Sequence, residues 1–286
     1  MKIKKAVITC AGPNQRKLPL QTLIDRDGIG KSVLEVLVEE ILEAGIDNIG
    51  CVVFPEDKKA YSDIVGDFKR YIEFIHQDKP KGYGHAILQA AEFVGEEPFL
   101  HLVGDHLYVS RSEKGCAEHL VAIAEKEKCS ISAVSAIRES MMPNYGVIGG
   151  KRIKASKDLY AVDTVVEKPT PTEAEQSLLI PGLRSGHYLC FFGMHVLTST
   201  VFKILKSQLE KMAKDEKLSL SQALKELSRH EKYLALEKRD WRYDVGTKYG
   251  LLKAQVALAM SGDDRDQVLS ELLELFTSRE LGKTGR

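Results

Sequence analysis

Two aspartates, each closing an apolar run, could hold a divalent cation on a phosphate. Asp105 ends "FLHLVGDH", and Asp244 lies in "WRYDVGTKYG". A carboxylate at the C-terminal end of a strand suits Mg²⁺ and the phosphates that ion neutralises. Aspartate also caps turns and helices, so neither residue alone says much. Three other segments could act with them. The loop "CAGPNQRKLP", residues 10–19, follows the first apolar run, where backbone N–H groups can be aimed at phosphate oxygens. It offers Ala11, a single glycine at Gly12, and Arg16, whose guanidinium can grip phosphate with two bonds. The stretch "HQDKPKGYGHAILQA", residues 76–90, sets Gly82 and Gly84 before a helix start, with Lys79, Lys81 and His85 around them. Gln77 carries donors and an acceptor on one amide, which suits the edge of a pyrimidine. In "VVEKP", Glu167 could bond sugar hydroxyls and Lys168 could pair with a phosphate, or the two could form a plain surface ion pair.

The elements that must position these residues follow from periodicity. Residues 6–10, 49–54, 71–75, 98–103 and 129–137 read as strands. Val33, Leu34, Leu37, Val38, Ile41 and Leu42 recur at helical spacing between Ser32, an N-cap, and Gly45, a C-cap. Residues 84–94 and 116–126 are helical in the same way. Alternation of strand and helix implies a Rossmann-like, mainly parallel sheet with helices on both faces, hence an α/β protein. In such sheets ligands sit beyond the C-terminal strand ends, where 11–17, 76–85 and 104–106 fall. After residue 140 the pattern becomes β-rich, through "NYGVIGG", "LYAVDTVVEKP" and "HYLCFFGMHVL". A proline-bearing loop (Pro169, Pro171, Pro181) interrupts it, and helices return at 198–212, 219–228, 247–260 and 264–276. No repeat or low-complexity linker separates the parts. The expected organisation is one domain over 1–262, parts 1–140 and 141–262, the second holding an inserted β-rich substrate lobe. A C-terminal helix and tail fill 263–286.

Composition narrows the partners. Lys+Arg and Asp+Glu both number 41, so no net basic field exists to draw nucleic acid. Five dispersed cysteines without a C-x-x-C pair read as buried thiols in a reducing compartment. No run approaches the ~18 apolar residues of a membrane span. These features predict a cytoplasmic protein without a membrane or nucleic-acid partner.

Together, the order and spacing of the five segments resemble the sugar-1-phosphate nucleotidyltransferases, most closely the bacterial UTP–glucose-1-phosphate uridylyltransferases. The family's "Q…P-x-G-x-G-H-A" is matched from Gln77 to Ala86, and its strand ending in G-D by "VGEEPFLHLVGDH". Its "Y-G-V-I", "V-E-K-P" and "G-x-x-V-L-T" are matched at Tyr145, Val166 and Gly193, and its "D-x-G-x-K-x-G" from Asp244 to Gly250. The resemblance implies the nucleotide-diphospho-sugar transferase fold, with 1–140 as the nucleotide-binding part and 141–262 as the sugar-binding part. It implies one Mg²⁺ held by Asp105 and Asp244, an NTP (UTP) read by Ala11, Gly12, Gln77 and Gly82, and a sugar 1-phosphate (glucose 1-phosphate) as second substrate. Gly146, Glu167 and Gly193 would hold the sugar and Lys168 its phosphate. The family's assemblies allow a homodimer or homotetramer, for which the apolar stripe Val268, Leu269, Leu272, Leu273, Leu275 and Phe276 is a candidate contact. Packing on its own domain is the simpler use of that stripe.

The opening loop departs from the family's A-A-G-x-G-T-R-x-L-P. Arg16 falls on the family's arginine, and Asn14 replaces the second glycine, a position asparagine can fill at positive φ. Seven residues beyond Pro19, where the family has its catalytic lysine, stands Arg26, flanked by Asp25 and Asp27. Arg16, Arg26 and Lys168 are therefore the candidate catalytic cations. Two classes of function follow. One is an active transferase making an NDP-sugar. The other is a catalytically impaired relative serving as a sugar-nucleotide-binding or regulatory subunit.

Overall fold

The first strand, β1 (Lys5–Thr9), shows how the sheet divides its residues. Ala6 and Ile8 pack to one face and Val7 to the other, all fully buried. The computed structural model describes residues 1–13 and 15–281, and its strands continue in chain order. They are β2 (Thr22–Ile24), β3 (Gly30–Ser32), β4 (Asn48–Val53), β5 (Ile72–His76), β6 (Phe99–Val103) and β7 (His106–Val109). Then come β8 (Ser130–Arg138), β9 (Gly146–Arg152), β10 (Leu159–Glu167), β11 (His187–Leu197), β12 (Tyr233–Glu237) and β13 (Trp241–Asp244).

Nine of them form one sheet in the order β5-β4-β1-β6-β11-β8-β12-β10-β9. The edge β5-β4-β1-β6 is entirely parallel. Beside it β11 runs antiparallel to both β6 and β8. Strands β9 and β10 pair antiparallel and extend the same sheet. One face is covered by helices Val33–Glu43 and Cys116–Glu127, whose Leu34, Leu37, Ile41 and Leu120 share one core cluster with Ile8. Helices Tyr83–Gln89, Thr200–Lys211 and Leu220–His230 cover the other through Ile87, Leu205, Leu224 and Leu227. The α/β architecture with helices on both faces is the one the strand–helix alternation predicts, but the sheet is mixed rather than mainly parallel, because the β-rich second part joins it largely through antiparallel strands.

Local signals explain the element ends. Ser32 forms a capping box with Glu35: Glu35 N donates to Ser32 Oγ at 3.1 Å, and Ser32 N donates to Glu35 Oε2 at 2.7 Å. Such a cap contributes about 1 kcal/mol. Gly45, at φ +77°, ends that helix as expected.

Several elements differ from the expectation. The 84–94 helix is two pieces, Tyr83–Gln89 and Ala91–Val94. A helix, Pro171–Ser177, occupies the proline-bearing loop, where Thr170 caps it. Strands β12 and β13, the Lys58–Ile64 helix and the β2–β3 hairpin are additional. The hairpin matters most, because Arg26 stands on its turn.

Candidate active site

The metal side of the site is built by two tight connections. After β6 the chain turns at Gly104, where any side chain would collide with Cys10 Sγ and Thr9 O of β1. Asp105 follows, 3% exposed, with neither carboxylate oxygen hydrogen-bonded. Strands β7 and β13 pair as an antiparallel ribbon that sets Asp244 opposite His106. Val245 N donates to Asp105 O at 2.9 Å, and Gly246 N to Asp244 Oδ1 at 2.8 Å. His106 Nε2 stands 4.0 Å from Asp105 Oδ1 and 3.9 Å from Asp244 Oδ2.

The two carboxyls titrate apart. Burial pushes Asp105 up, with Asp244 adding to the rise and His106 opposing it. Burial also acts to raise Asp244, but His106, Gly246 N–H and Arg242 outweigh it and hold that carboxyl below its usual value. An unpartnered buried carboxylate is costly to fold, and a bound cation would remove the cost. This donor set fits a hard divalent ion. Among the described residues no group of three or more His, Cys, Asp or Glu is arranged to hold a metal. Two carboxylates would leave the remaining positions to phosphate oxygens and water, as Mg²⁺ favours.

Asp105 forms the end of a cleft of about 440 Å³. Ala11, Gly12, Gln77, Gly82 and Lys168 line it too, so six of the expected site residues share one cavity. Gly82 has φ +105°, and a methyl group there would lie 2.6 Å from Leu218 O and 2.9 Å from Leu218 N. Only glycine permits this approach. It lets Gly84 N donate to Leu218 O at 2.9 Å and Leu218 N to Lys81 O at 2.7 Å. Those bonds clamp the 81–84 loop to residues 217–218 and bring Lys217 to the rim.

Across the cleft, Lys168 adopts φ +49°, a left-handed conformation uncommon for a side chain of its size. Its N–H donates to Tyr145 O at 2.9 Å, which holds the strained turn. Strain of this kind concentrates where a side chain must be aimed. Neighbouring Glu167 accepts from Ser221 Oγ at 2.6 Å. Gly146 sits against both, since a methyl group there would lie 3.0 Å from Glu167 Oε2 and 3.0 Å from Ser221 Oγ. Gly193, at φ +83°, makes room for the His106 ring, and its carbonyl accepts from Tyr108 Oη at 2.7 Å.

The opening loop is arranged differently from the expectation. Arg16 does not line the cleft. Its guanidinium stacks over Phe54 with 4.7 Å to the ring centre, and its Nε lies 3.3 Å from Asp57 Oδ2. Arg26 lies in a separate cleft with Glu43, Ser110, Ser112, Lys114 and Glu118. Arg26 stands on the turn of the β2–β3 hairpin, where its carbonyl accepts from Asp263 N at 3.1 Å. Asn14 lies outside the described residues. The cations that do reach the cleft are Lys168 and Lys217. Lys217 stands in a charged run, "KDEKLSL", that carries no motif, so its place was not legible. Arg242 was also missed. It stacks on Tyr145 with 4.6 Å to the ring centre, donates to Phe191 O at 2.9 Å, and lends its charge to both aspartates.

Comparison with known proteins defines the class. The family model described as nucleotidyl transferase matches residues 27–261. It begins after the opening loop, the part whose glycine and lysine positions are changed. A UTP–glucose-1-phosphate uridylyltransferase 2 of Streptococcus pyogenes serotype M3 is 30% identical over 311 aligned positions, covering 99% of both chains. A UTP–glucose-1-phosphate uridylyltransferase 1 of the same serotype is 31% identical, covering 91% of this chain and 90% of its own. Among solved structures, a UDP-glucose pyrophosphorylase from Acinetobacter baumannii superposes with a TM-score of 0.73 at 23% identity, covering 96% of this chain and 99% of that one. A UDP-glucose pyrophosphorylase complexed with UDP-glucose gives 0.70 at 24%, covering 89% and 98%. The chain belongs to the nucleotidyl transferase family and is a nucleotidyltransferase of the sugar-1-phosphate class.

Proposed function

We propose that this cleft transfers a uridylyl group from UTP to glucose 1-phosphate, giving UDP-glucose and pyrophosphate. The observation that carries the reading is Asp105. Its carboxylate is buried, has no hydrogen-bond partner, and lines a cleft that also holds Lys168. A Mg²⁺ ion held by Asp105 and Asp244 would neutralise the phosphates of both substrates. The part of the chain over 1–140 takes the nucleotide, with Ala11, Gly12, Gln77 and Gly82 around the base and loop. The part over 141–262 takes the sugar, with Glu167 and Gly146 at its hydroxyls and Lys168 on its phosphate. A phosphate oxygen of the sugar phosphate attacks the α-phosphorus in line. The new P–O bond forms as the α–β bridging bond breaks, and pyrophosphate carries away the electron pair. The protein positions the groups and neutralises charge. UTP and glucose 1-phosphate are suggested by the names of the relatives, and the cleft geometry is compatible with them.

The placement of Arg16 and Arg26 outside the cleft favours a second reading, in which substrates bind with little turnover. One assay separates the two. Pyrophosphate release is measured from each of UTP, dTTP, ATP, CTP and GTP with Mg²⁺ and a panel of sugar 1-phosphates. Release that requires UTP and glucose 1-phosphate supports uridylyl transfer. Nucleotide binding without release from any pair supports the binding subunit.

A further inference from the structure

A divalent cation held by two carboxylates brings no net charge to the cleft, since Asp105 and Asp244 match it. The phosphates of a nucleoside triphosphate and a sugar phosphate therefore need cations from elsewhere in the protein. Arg16 and Arg26 do not meet that need: Arg16 faces Phe54 and Asp57, and Arg26 lines the separate cleft. Among the described residues, Lys168 and Lys217 are the basic side chains that line the cleft.

Lys217 stands in the connection between helices Thr200–Lys211 and Leu220–His230. The next residue, Leu218, is 3% exposed and bonded on both sides: its N donates to Lys81 O at 2.7 Å, and its O accepts from Gly84 N at 2.9 Å. These are backbone bonds, so they hold Lys217 in place without using its side chain. That side chain starts beside the Gly82 turn, where an added methyl group would lie 3.0 Å from Lys217 Cβ. Among the described residues Lys217 enters no ion pair. Its chain neighbour Glu216 instead accepts from Ala213 N at 3.1 Å. Lys31 shows the contrast, with Asp25, Asp27 and Glu39 around it. Gly82, which Lys217 adjoins, belongs to the part of the cleft assigned to the nucleotide, whereas Lys168 follows Glu167 on the part assigned to the sugar. We infer that Lys217 binds the triphosphate of the nucleotide and supplies the charge that neither Arg16 nor Arg26 brings to the cleft. The inference rests on the reading of the cleft as a nucleoside triphosphate site and names the side chain that holds the phosphates there.

The test is titration calorimetry on the full chain with UTP and Mg²⁺, with uridine, and with glucose 1-phosphate. Lys217→Gln should weaken UTP binding by roughly tenfold or more, the scale of a charged contact to phosphate, and leave uridine binding unchanged. Lys217→Arg keeps the charge and should keep most of the UTP affinity. The side chain is exposed, so both variants should melt at the wild-type temperature. A purely structural role would weaken UTP and uridine alike, and that outcome overturns the inference. So does a Lys217→Gln protein that binds UTP as tightly as the wild type, or an equal loss in the glutamine and arginine variants. Weaker glucose 1-phosphate binding with unchanged UTP binding moves Lys217 to the sugar side and overturns it too. The underlying reading fails separately. A wild-type chain that binds no UTP overturns the nucleotidyl-transfer reading and the inference with it. A wild-type chain that releases pyrophosphate, beside a Lys217→Gln variant with unchanged UTP affinity, overturns the inference alone.

Discussion

At the scale of residues, Asp105 sets stability against function. A buried carboxylate with neither oxygen hydrogen-bonded is costly, and burial raises its pKa accordingly. Asp105→Asn removes the charge and keeps the shape. The variant should fold with an equal or higher melting temperature and lose on the order of 100-fold or more in turnover. Asp244→Asn should lose turnover similarly, without a gain in stability, since Asp244 already accepts from Gly246 N. Pyrophosphate release and thermal melts on both variants check this, and near-wild-type turnover in either removes that residue from the metal shell. The cations divide along the same lines. Arg26 lies in the separate cleft, so Arg26→Ala should leave turnover unchanged, whereas Lys168→Ala should cost roughly ten- to a hundredfold through a lost charged contact to phosphate. Equal losses in the two variants would return Arg26 to the reaction.

At the scale of elements, what could be read from sequence depended on how local the signal was. Strands β1, β4 and β6 are short apolar runs between turn residues, and each stands where the pattern places it. The Gly82 loop, Asp105 and Lys168 share the cleft because each sits at the end of such an element. Arg26 failed for a different reason. Counting from Pro19 gives a place in the sequence and not in space, and that place falls on the turn of the β2–β3 hairpin, in a different cleft from the one Asp105 lines. The hairpin's signal was present, as Asp27-Gly28 between Ile24 and Ile29 is hairpin-turn chemistry. The two strands are only three residues each, and Ile24 and Ile29 are about half exposed, so no apolar run marks them.

Strand β6 also carries a buried histidine that no motif announces. His101 is fully buried, bonded through Nδ1 to Val7 O at 3.0 Å and in contact through Nε2 with Tyr83 Oη. Burial lowers its pKa from 6.5 to about 4. Between those values the unfolded chain binds a proton that the folded chain refuses. Stability therefore falls as pH drops from 6.5 toward 4, by about 3 kcal/mol at most for this group. His195, buried 5.9 Å away and also depressed, acts in the same sense. Buried Asp105 and Glu40, whose values are raised, act in the opposite one. Urea unfolding at pH 7 and pH 4.5 should show a smaller acid penalty in His101→Gln than in the wild type. The same penalty in both would assign the acid sensitivity elsewhere.

At the scale of the whole molecule, the last two helices leave apolar side chains uncovered. Helix Gly250–Met260 exposes Leu252 at 60%, and Arg265–Leu281 exposes Leu273, Leu275 and Phe276 at 55%, 49% and 62%. The hairpin's Ile24 lies against helix Gly250–Met260, since Gln255 bonds both Ile24 N and Ile24 O. The terminal stripe is divided: Val268, Leu269 and Leu272 are half-buried, as packing on its own domain predicts, whereas Leu273, Leu275 and Phe276 face solvent. Apolar surface of this kind on a folded chain marks association. The wild-type chain should run as an oligomer in light scattering. A chain ending at Asp264 keeps the bond from Asp263 N to Arg26 O and should run as a folded monomer. Leu273→Glu combined with Phe276→Glu should do the same in the full-length protein, with little change in melting temperature, because both side chains are solvent-facing in the single chain. An oligomer that survives both changes places the interface elsewhere. A wild-type monomer whose shortened form melts at lower temperature makes the last helix a buttress for Gly250–Met260 and nothing more.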